Sequence, residues 1–366
     1  MRSFLNGEFK VGLFGSNLAG GLAATTVPER WRASWTDNVK LALMADEAGI
    51  DFLLPVARWV GYGSGEGSFH QQVLDPTIWA TGLLSLTKSL TVFTTIHTAF
   101  THPIVAAKHL VTADQVSSGR LGLNIVAGWN QPEYEMFGLA LPEDHDERYG
   151  YSQEWLDVVE QVWSARAPFD FNGRFFNLKN VSGDPKPYHG TRPPLLNAGG
   201  SPQGQAFAQR NADVLFTVAD VASEPDQIAR IKNAAFERFG RKKLDIFVVI
   251  YVVCRPTEAE AAAYHQHYAV DNVDDEAVER LIELHIRHSR TLPKEVFRQQ
   301  KLRMAGGHGG YPVIGTPDQV AERIAEFAKA GIGGVAIGMV NYLDELPYFT
   351  REVLPRLKAM EIHGIH

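Results

Sequence analysis

Cysteine is almost missing from these 366 residues: Cys254 stands alone, which rules out an internal disulfide and fits a reducing compartment. An excess of basic charge is missing too. Lys plus Arg number 35 against 42 Asp plus Glu, a formal charge of -7 without a basic cluster, so nothing attracts a phosphate backbone. No apolar run approaches the roughly 18 residues of a membrane span, and the segment from Met1 to Glu8 has no apolar h-region. The expectation is a cytoplasmic protein with no nucleic-acid and no membrane partner. No G-x-G-x-x-G follows the first strand-like run, and neither a P-loop nor G-x-S-x-G occurs, which argues against an open nucleotide-binding sheet and a serine nucleophile. The histidines lack ligand spacing: His265 and His267 fall on different faces of a predicted helix, a strand end separates His97 from His102, and His363 and His366 sit on the tail. No metal site is expected.

What is present is an ordinary globular composition, 45% hydrophobic and 21% charged. Strand-like runs span Phe9 to Gly15, Asp51 to Ala57, Leu90 to Ile96, Leu121 to Ala127, Pro194 to Ala198, Asp213 to Val218, Leu244 to Cys254 and Gly333 to Met339. Amphipathic segments separate them, such as Trp31 to Ala48 with Trp35, Val39, Leu43 and Ala48 on one stripe, and His102 to Val116 with Ile104, Ala107, Leu110 and Val111 on another. Eight alternating β and α elements predict a closed (β/α)8 TIM barrel, a single domain over 1–366. Three connections are too long for plain loops. Val60 to Asp75 carries Gly61, Gly63, Gly65 and Gly67; Ala165 to Pro193 carries an apparent hairpin with Asn172-Gly173 as its turn. The third, 255–315, has predicted helices at Glu258 to Val270 and Glu276 to Arg290, followed by Gly306 to Gly310; it reads as a lid hinged at those glycines.

Active sites of such barrels lie at the C-terminal ends of the strands. Strand phase alone selects Ala57-Arg58, Thr94 to His97, Asn124 to Trp129, Asn197 to Ser201 and Phe216-Thr217. Asn124 is the most telling, since an amide inside the apolar run Leu121 to Val126 needs partners. Arg148 offers a planar fork of donors, Tyr149 a hydroxyl, and Gly199-Gly200-Ser201 opens a helix, a combination suited to a phosphate. Trp59, Tyr62, His97, Phe100 and Trp129 would form an aromatic wall around a substrate pocket.

The block Asn124-Ile-Val-Ala-Gly-Trp-Asn-Gln-Pro-Glu-Tyr-Glu135, with His145 to Tyr149, Ala198 to Ser201 and Ile314 to Ile324, resembles the flavin-dependent monooxygenases of the bacterial luciferase superfamily. It is particularly similar to the pyrimidine oxygenases, and the last two blocks also resemble the dimethyl sulfone monooxygenases. The resemblance implies that Ala57, Arg58 and Asn124 border a flavin with Glu133 as a further cofactor contact, that Arg148, Tyr149 and Ser201 meet its phosphate, where the helix start at Gly200 would also bind it, and that Thr95 and Asn124 receive dioxygen beside the ring. It implies a two-component enzyme: a separate reductase supplies reduced FMN, and O2 serves to oxygenate a small organic substrate and cleave a C–N, C–S or C–halogen bond. A homodimer or higher homo-oligomer is implied as well. His97 departs from the pyrimidine-oxygenase pattern, which has a small residue there. A deazaflavin (F420)-dependent hydride-transfer enzyme and a non-catalytic flavin-binding protein remain the alternatives.

Overall fold

The structure is a computed structural model that describes residues 4–63, 67–218, 225–241, 243–285 and 294–363. Eight parallel strands close a barrel: β1 (Lys10–Phe14), β2 (Phe52–Leu54), β3 (Thr91–His97), β4 (Leu121–Val126), β5 (Leu195–Asn197), β6 (Val214–Val218), β7 (Asp245–Cys254) and β8 (Gly334–Gly338). Each pairs with the next, and β8 returns to β1 with Val11 opposite Val335. All eight fall on the predicted runs, because near-continuous Val, Ile and Leu suit strands covered on both faces.

Alternation along the strands divides the core. Phe52, Leu54, Phe93, Leu196, Phe216, Phe247 and Val249 fill the barrel, and Phe4 lies edge-on to Phe52, Phe93 and Phe247 among them. Gly122 is required here, since a Cβ would lie 2.4 Å from the Phe93 ring. The opposite faces, with Val92, Leu121, Leu123 and Ile125, meet the helices. Asn124 points inward by this phase, with Gly122 and away from Leu123.

Four local expectations are corrected. The helix Trp35–Ala48 buries Asn38, Leu41, Ala42 and Ala45, whereas Trp35 and Leu43 of the predicted stripe are exposed. A buried amide decides the face: Asn38 accepts a hydrogen bond from Trp79 Nε1 at 2.9 Å. The hairpin pairs Phe169–Asn172 with Asn177–Val181 across four residues, 173–176, rather than a two-residue turn. Glu154 sets that length, because its carboxylate accepts from the backbone N–H groups of Arg174, Phe175 and Phe176. The long third connection contains a ninth strand of the main sheet, Tyr311–Gly315, which pairs with the end of β7 outside the barrel. Its helix Glu258–Gln266 gives way to a π-turn at His267–Asp271.

The helix predicted from Glu276 runs Asp275–His285, and its predicted end at 286–290 lies outside the described residues, as does Gly65. Gly306 and Gly307 end the helix Lys294–Gly307 and rest on Tyr251, where a Cβ at Gly307 would come within 2.3 Å of the ring. Among the described residues no helix is long and apolar enough to cross a membrane.

Candidate active site

The mouth of the barrel begins with two neighbouring strands. Thr95 of β3 lies opposite Asn124 of β4 in the parallel register, and His97 stands two residues further toward the mouth on the same strand face. Thr95 Oγ1 donates to the Pro55 carbonyl at 2.6 Å, so the same oxygen must accept from Asn124 Nδ2, which lies at 3.1 Å. A carbonyl only accepts, so this chain of bonds fixes which way the Asn124 amide faces. Asn124 Oδ1 is left buried with no protein partner. The Thr95 proton is thus engaged by Pro55, and the Thr95 oxygen holds the Asn124 amide in one orientation.

β4 ends at Gly128, whose φ of 94° lies in the left-handed region and whose missing Cβ lets Tyr134 Oη approach to donate to the Ala127 carbonyl. The turn leads into the short helix Gln131–Met136, with Pro132 in its first turn, which carries Glu133 back over the barrel. Glu133 is fully buried and forms an ion pair with the buried Arg58 at 3.0 Å. Its Oε1 also accepts from the Trp59 backbone N–H at 2.8 Å. Arg58 in turn lies over the rings of Tyr62 and Trp129, 5.2 and 5.0 Å from the centroids. The pair therefore holds β2's exit loop against β4's. Ala57 is buried beside it.

The aromatic wall separates into two groups. Tyr62 and Trp129 flank Arg58, while His97, Phe100, Phe137 and Trp59 form a chain of ring contacts at 5.3, 4.3 and 5.2 Å. Trp59 is 43% exposed, so it rims the mouth rather than lining its floor. Phe137 was not selected from sequence, where it follows the Glu133 helix without a strand to give it phase.

Sequence reasoning also passed over His70. It is completely buried at φ 59°, stacks on Phe69 at 3.7 Å and lies 5.4 Å from the Tyr62 ring. A non-glycine residue held at positive φ is uncommon and accumulates at functional sites. Only its position in a glycine- and aromatic-rich loop hinted at it. Burial, reinforced by the Arg58 charge, pushes His97 down to about 3. Burial does the same to His70, also about 3, against a bond to the Gly21 carbonyl that favours the proton and with Arg58 adding to the depression. Both imidazoles are neutral near pH 7. Burial raises Tyr62 to about 12 and keeps its hydroxyl protonated.

The two histidines make stability fall on acidification. Below an unfolded pKa near 6.5 the unfolded chain binds protons that the folded one refuses until about pH 3, so stability is full above that window and declines within it. At pH 5 each histidine should cost about 2 kcal/mol. Urea unfolding at pH 7.5 and 5.0 checks this; His97→Phe should lose less on acidification than the parent, and an equal loss would refute the assignment.

At the other rim, Ser201 caps the helix Pro202–Asn211 by accepting from the Gly204 N–H at 3.1 Å, and Tyr149 is hydrogen-bonded to Ser201. Gly199 is needed because a Cβ would meet Gly204 Cα at 2.4 Å, whereas Gly200 faces open space. Arg148 donates from Nη1 to the Gly128 carbonyl at 3.2 Å, and its buried Nε has no protein partner. Arg148 thereby ties this rim to the turn beyond Asn124. An unengaged guanidinium N–H, the hydrogen-bonded Tyr149–Ser201 hydroxyl pair with one proton to spare, and an open glycine backbone together suit an anionic phosphate. Among the described residues no group of three or more His, Cys, Asp or Glu has the arrangement of a metal site.

A barrel with this inward-facing amide and anion-suited rim has relatives. The sequence profile of the luciferase-like monooxygenases matches residues 10–333. The chain belongs to that family and is a flavin-dependent monooxygenase. It is 32% identical to an FMNH2-dependent dimethylsulfone monooxygenase of Pseudomonas fluorescens (strain Pf0-1) over 94% of this chain and 93% of that protein. It is 28% identical to the pyrimidine monooxygenase RutA of Escherichia coli O127:H6 over 96% of each. In fold it matches DmoA from Hyphomicrobium sulfonivorans with a TM-score of 0.85 at 18% identity, over 98% of this chain and 89% of that one.

Proposed function

We propose that this protein is the oxygenase of a two-component system, taking reduced FMN from a separate reductase and using O2 to cleave a C–N, C–S or C–halogen bond of a small organic substrate. The observation that carries the reading is the buried, inward-facing Asn124 amide, oriented by Thr95 and left with an unsatisfied oxygen. Arg148, Tyr149, Gly200 and Ser201 would hold the phosphate, and Ala57, Arg58, Glu133 and Asn124 would border the ring. Reduced FMN, when bound, supplies the two electrons with which oxygen is activated. The chain's own part is to orient, to exclude water and to hold oxygen beside the amide without a charged donor that would protonate it early.

The reading includes a lid formed by 255–315 within a single domain. Ala277, Val278, Leu281 and Ala305 pack in one cluster with Tyr62, and Trp129 lies against it, so that region covers the Arg58 side of the mouth. It also includes a homodimer or higher homo-oligomer, for which the exposed Ile78 and Leu86 on one helix and Val105 and Val116 on the next provide apolar surface.

The test is oxygen uptake by protein mixed with chemically reduced FMN, beside equilibrium binding of FMN and riboflavin. FMN should bind about ten- to a hundredfold more tightly than riboflavin, the worth of a charge-assisted contact, and Arg148→Ala should erase most of that difference. Equal affinity for the two would refute the phosphate site. Failure of nitrogen heterocycles, sulfones and chloroaromatics alike to divert oxygen from peroxide into product would sink the oxygenase reading.

A further inference from the structure

Resting on that reading, we propose that the substrate is a small neutral molecule carrying a hydrogen-bond donor, N–H or O–H, and that His97 determines this specificity by presenting the lone pair of Nε2 to it. His97 Nδ1 stands 3.8 Å from Glu133 Oε2, beyond hydrogen-bond length, and neither atom has another partner. An ionised carboxylate oxygen can only accept, so the single proton of the neutral ring is favoured on Nδ1 and the lone pair is left at the tip of the ring. That tip projects from the same strand face as Thr95, one step nearer the mouth. No described residue engages Nε2.

A second acceptor of the same kind lies beside Tyr62, the ring over which Arg58 sits. His70 Nε2 is 2.8 Å from the Gly21 carbonyl, which fixes the proton there and leaves Nδ1 as a buried acceptor without a partner. Two imidazoles with opposite tautomers thus offer lone pairs close enough to one guanidinium to feel its charge. The complementary donors are Arg58 Nε and the Tyr62 hydroxyl, which have no protein partner either. Arg58 already has its counter-charge in Glu133, so this group of residues offers no uncompensated cation to an anionic substrate. A ligand with only acceptors, such as a sulfone, would bury these lone pairs unsatisfied, and unpaired buried groups give strong discrimination.

The experiment is a calorimetric titration of the protein loaded with oxidised FMN, using matched five-membered rings: 2-pyrrolidinone, which has an N–H, against N-methyl-2-pyrrolidinone and sulfolane, which have none. The wild type should prefer 2-pyrrolidinone about tenfold, and His97→Phe, which keeps a ring against Phe100 but no lone pair, should abolish the preference. Equal affinities in the wild type, no measurable binding of 2-pyrrolidinone, or a preference surviving in His97→Phe would each overturn the proposal. A second measurement needs neither variant folding nor activity: 15N spectra of histidine-labelled, cofactor-free protein should show His97 with Nδ1 protonated and Nε2 bare, and the reverse tautomer would overturn it. Absence of oxygen uptake with reduced FMN would defeat the oxygenase reading while leaving this ligand preference to stand or fall on the titration.

Discussion

Replacing Asn124 by Ala should cut product formation at least about a hundredfold, the usual cost of removing one preorganised polar group beside developing charge, while FMN affinity stays within a few fold. Oxygen should still be consumed, appearing as hydrogen peroxide in place of product, because the phosphate rim at Arg148, Tyr149 and Ser201 is untouched. Thr95→Val should do the same more weakly, about tenfold. Its hydroxyl accepts from Asn124 Nδ2 and donates to Pro55, so valine orphans the carbonyl and frees the amide to turn, yet leaves the amide present. The two losses should be far from additive, since one residue acts through the other. Single-turnover mixing of the reduced, FMN-loaded protein with oxygen, followed by product and peroxide assays, decides it. Normal product yield in Asn124→Ala would make the amide structural, and lost FMN binding would make it chiefly a cofactor contact.

Asn124 stands out in the sequence alone because of what a strand buried on both faces tolerates. Six residues reading Leu-Gly-Leu-Asn-Ile-Val leave no apolar reason for an amide, and the barrel's period of two sends it inward with Gly122. The eight strands were legible for the same reason. Thr95 was legible as a position but not as a role, because only the Pro55 carbonyl, 40 residues away, reveals that its proton is engaged. His70 was not legible. Its burial depends on the loop folding back so that its N–H reaches the Ala19 carbonyl and its ring reaches Gly21, contacts that no local pattern encodes. The strand Tyr311–Gly315 was hidden by its place in a long insertion, where pairing with the overhanging end of β7 decides its conformation.

Glu133 carries the largest expected effect on stability. Glu133→Ala should cost about 3–5 kcal/mol, because it leaves the Arg58 guanidinium buried without its counter-charge and removes the acceptor of the Trp59 N–H. Glu133→Gln keeps an acceptor for that N–H and loses only the charge, so its cost should be smaller, about 1.5–3 kcal/mol. If the ion pair is a device for placing the β2 and β4 exit loops and not a source of net stability, removing both charges with apolar residues of similar size should undo most of the damage. Arg58→Met combined with Glu133→Leu should therefore unfold in urea close to the parent while its flavin affinity and turnover stay low. Urea unfolding of the three variants, with FMN titration of the double variant, measures both halves. A loss below about 1 kcal/mol in Glu133→Ala would show that water reaches Arg58 and that the pair is not a buried one; a double variant as unstable as Glu133→Ala would mean that the Trp59 and Val60 amides, rather than the charge, are what Glu133 holds in place.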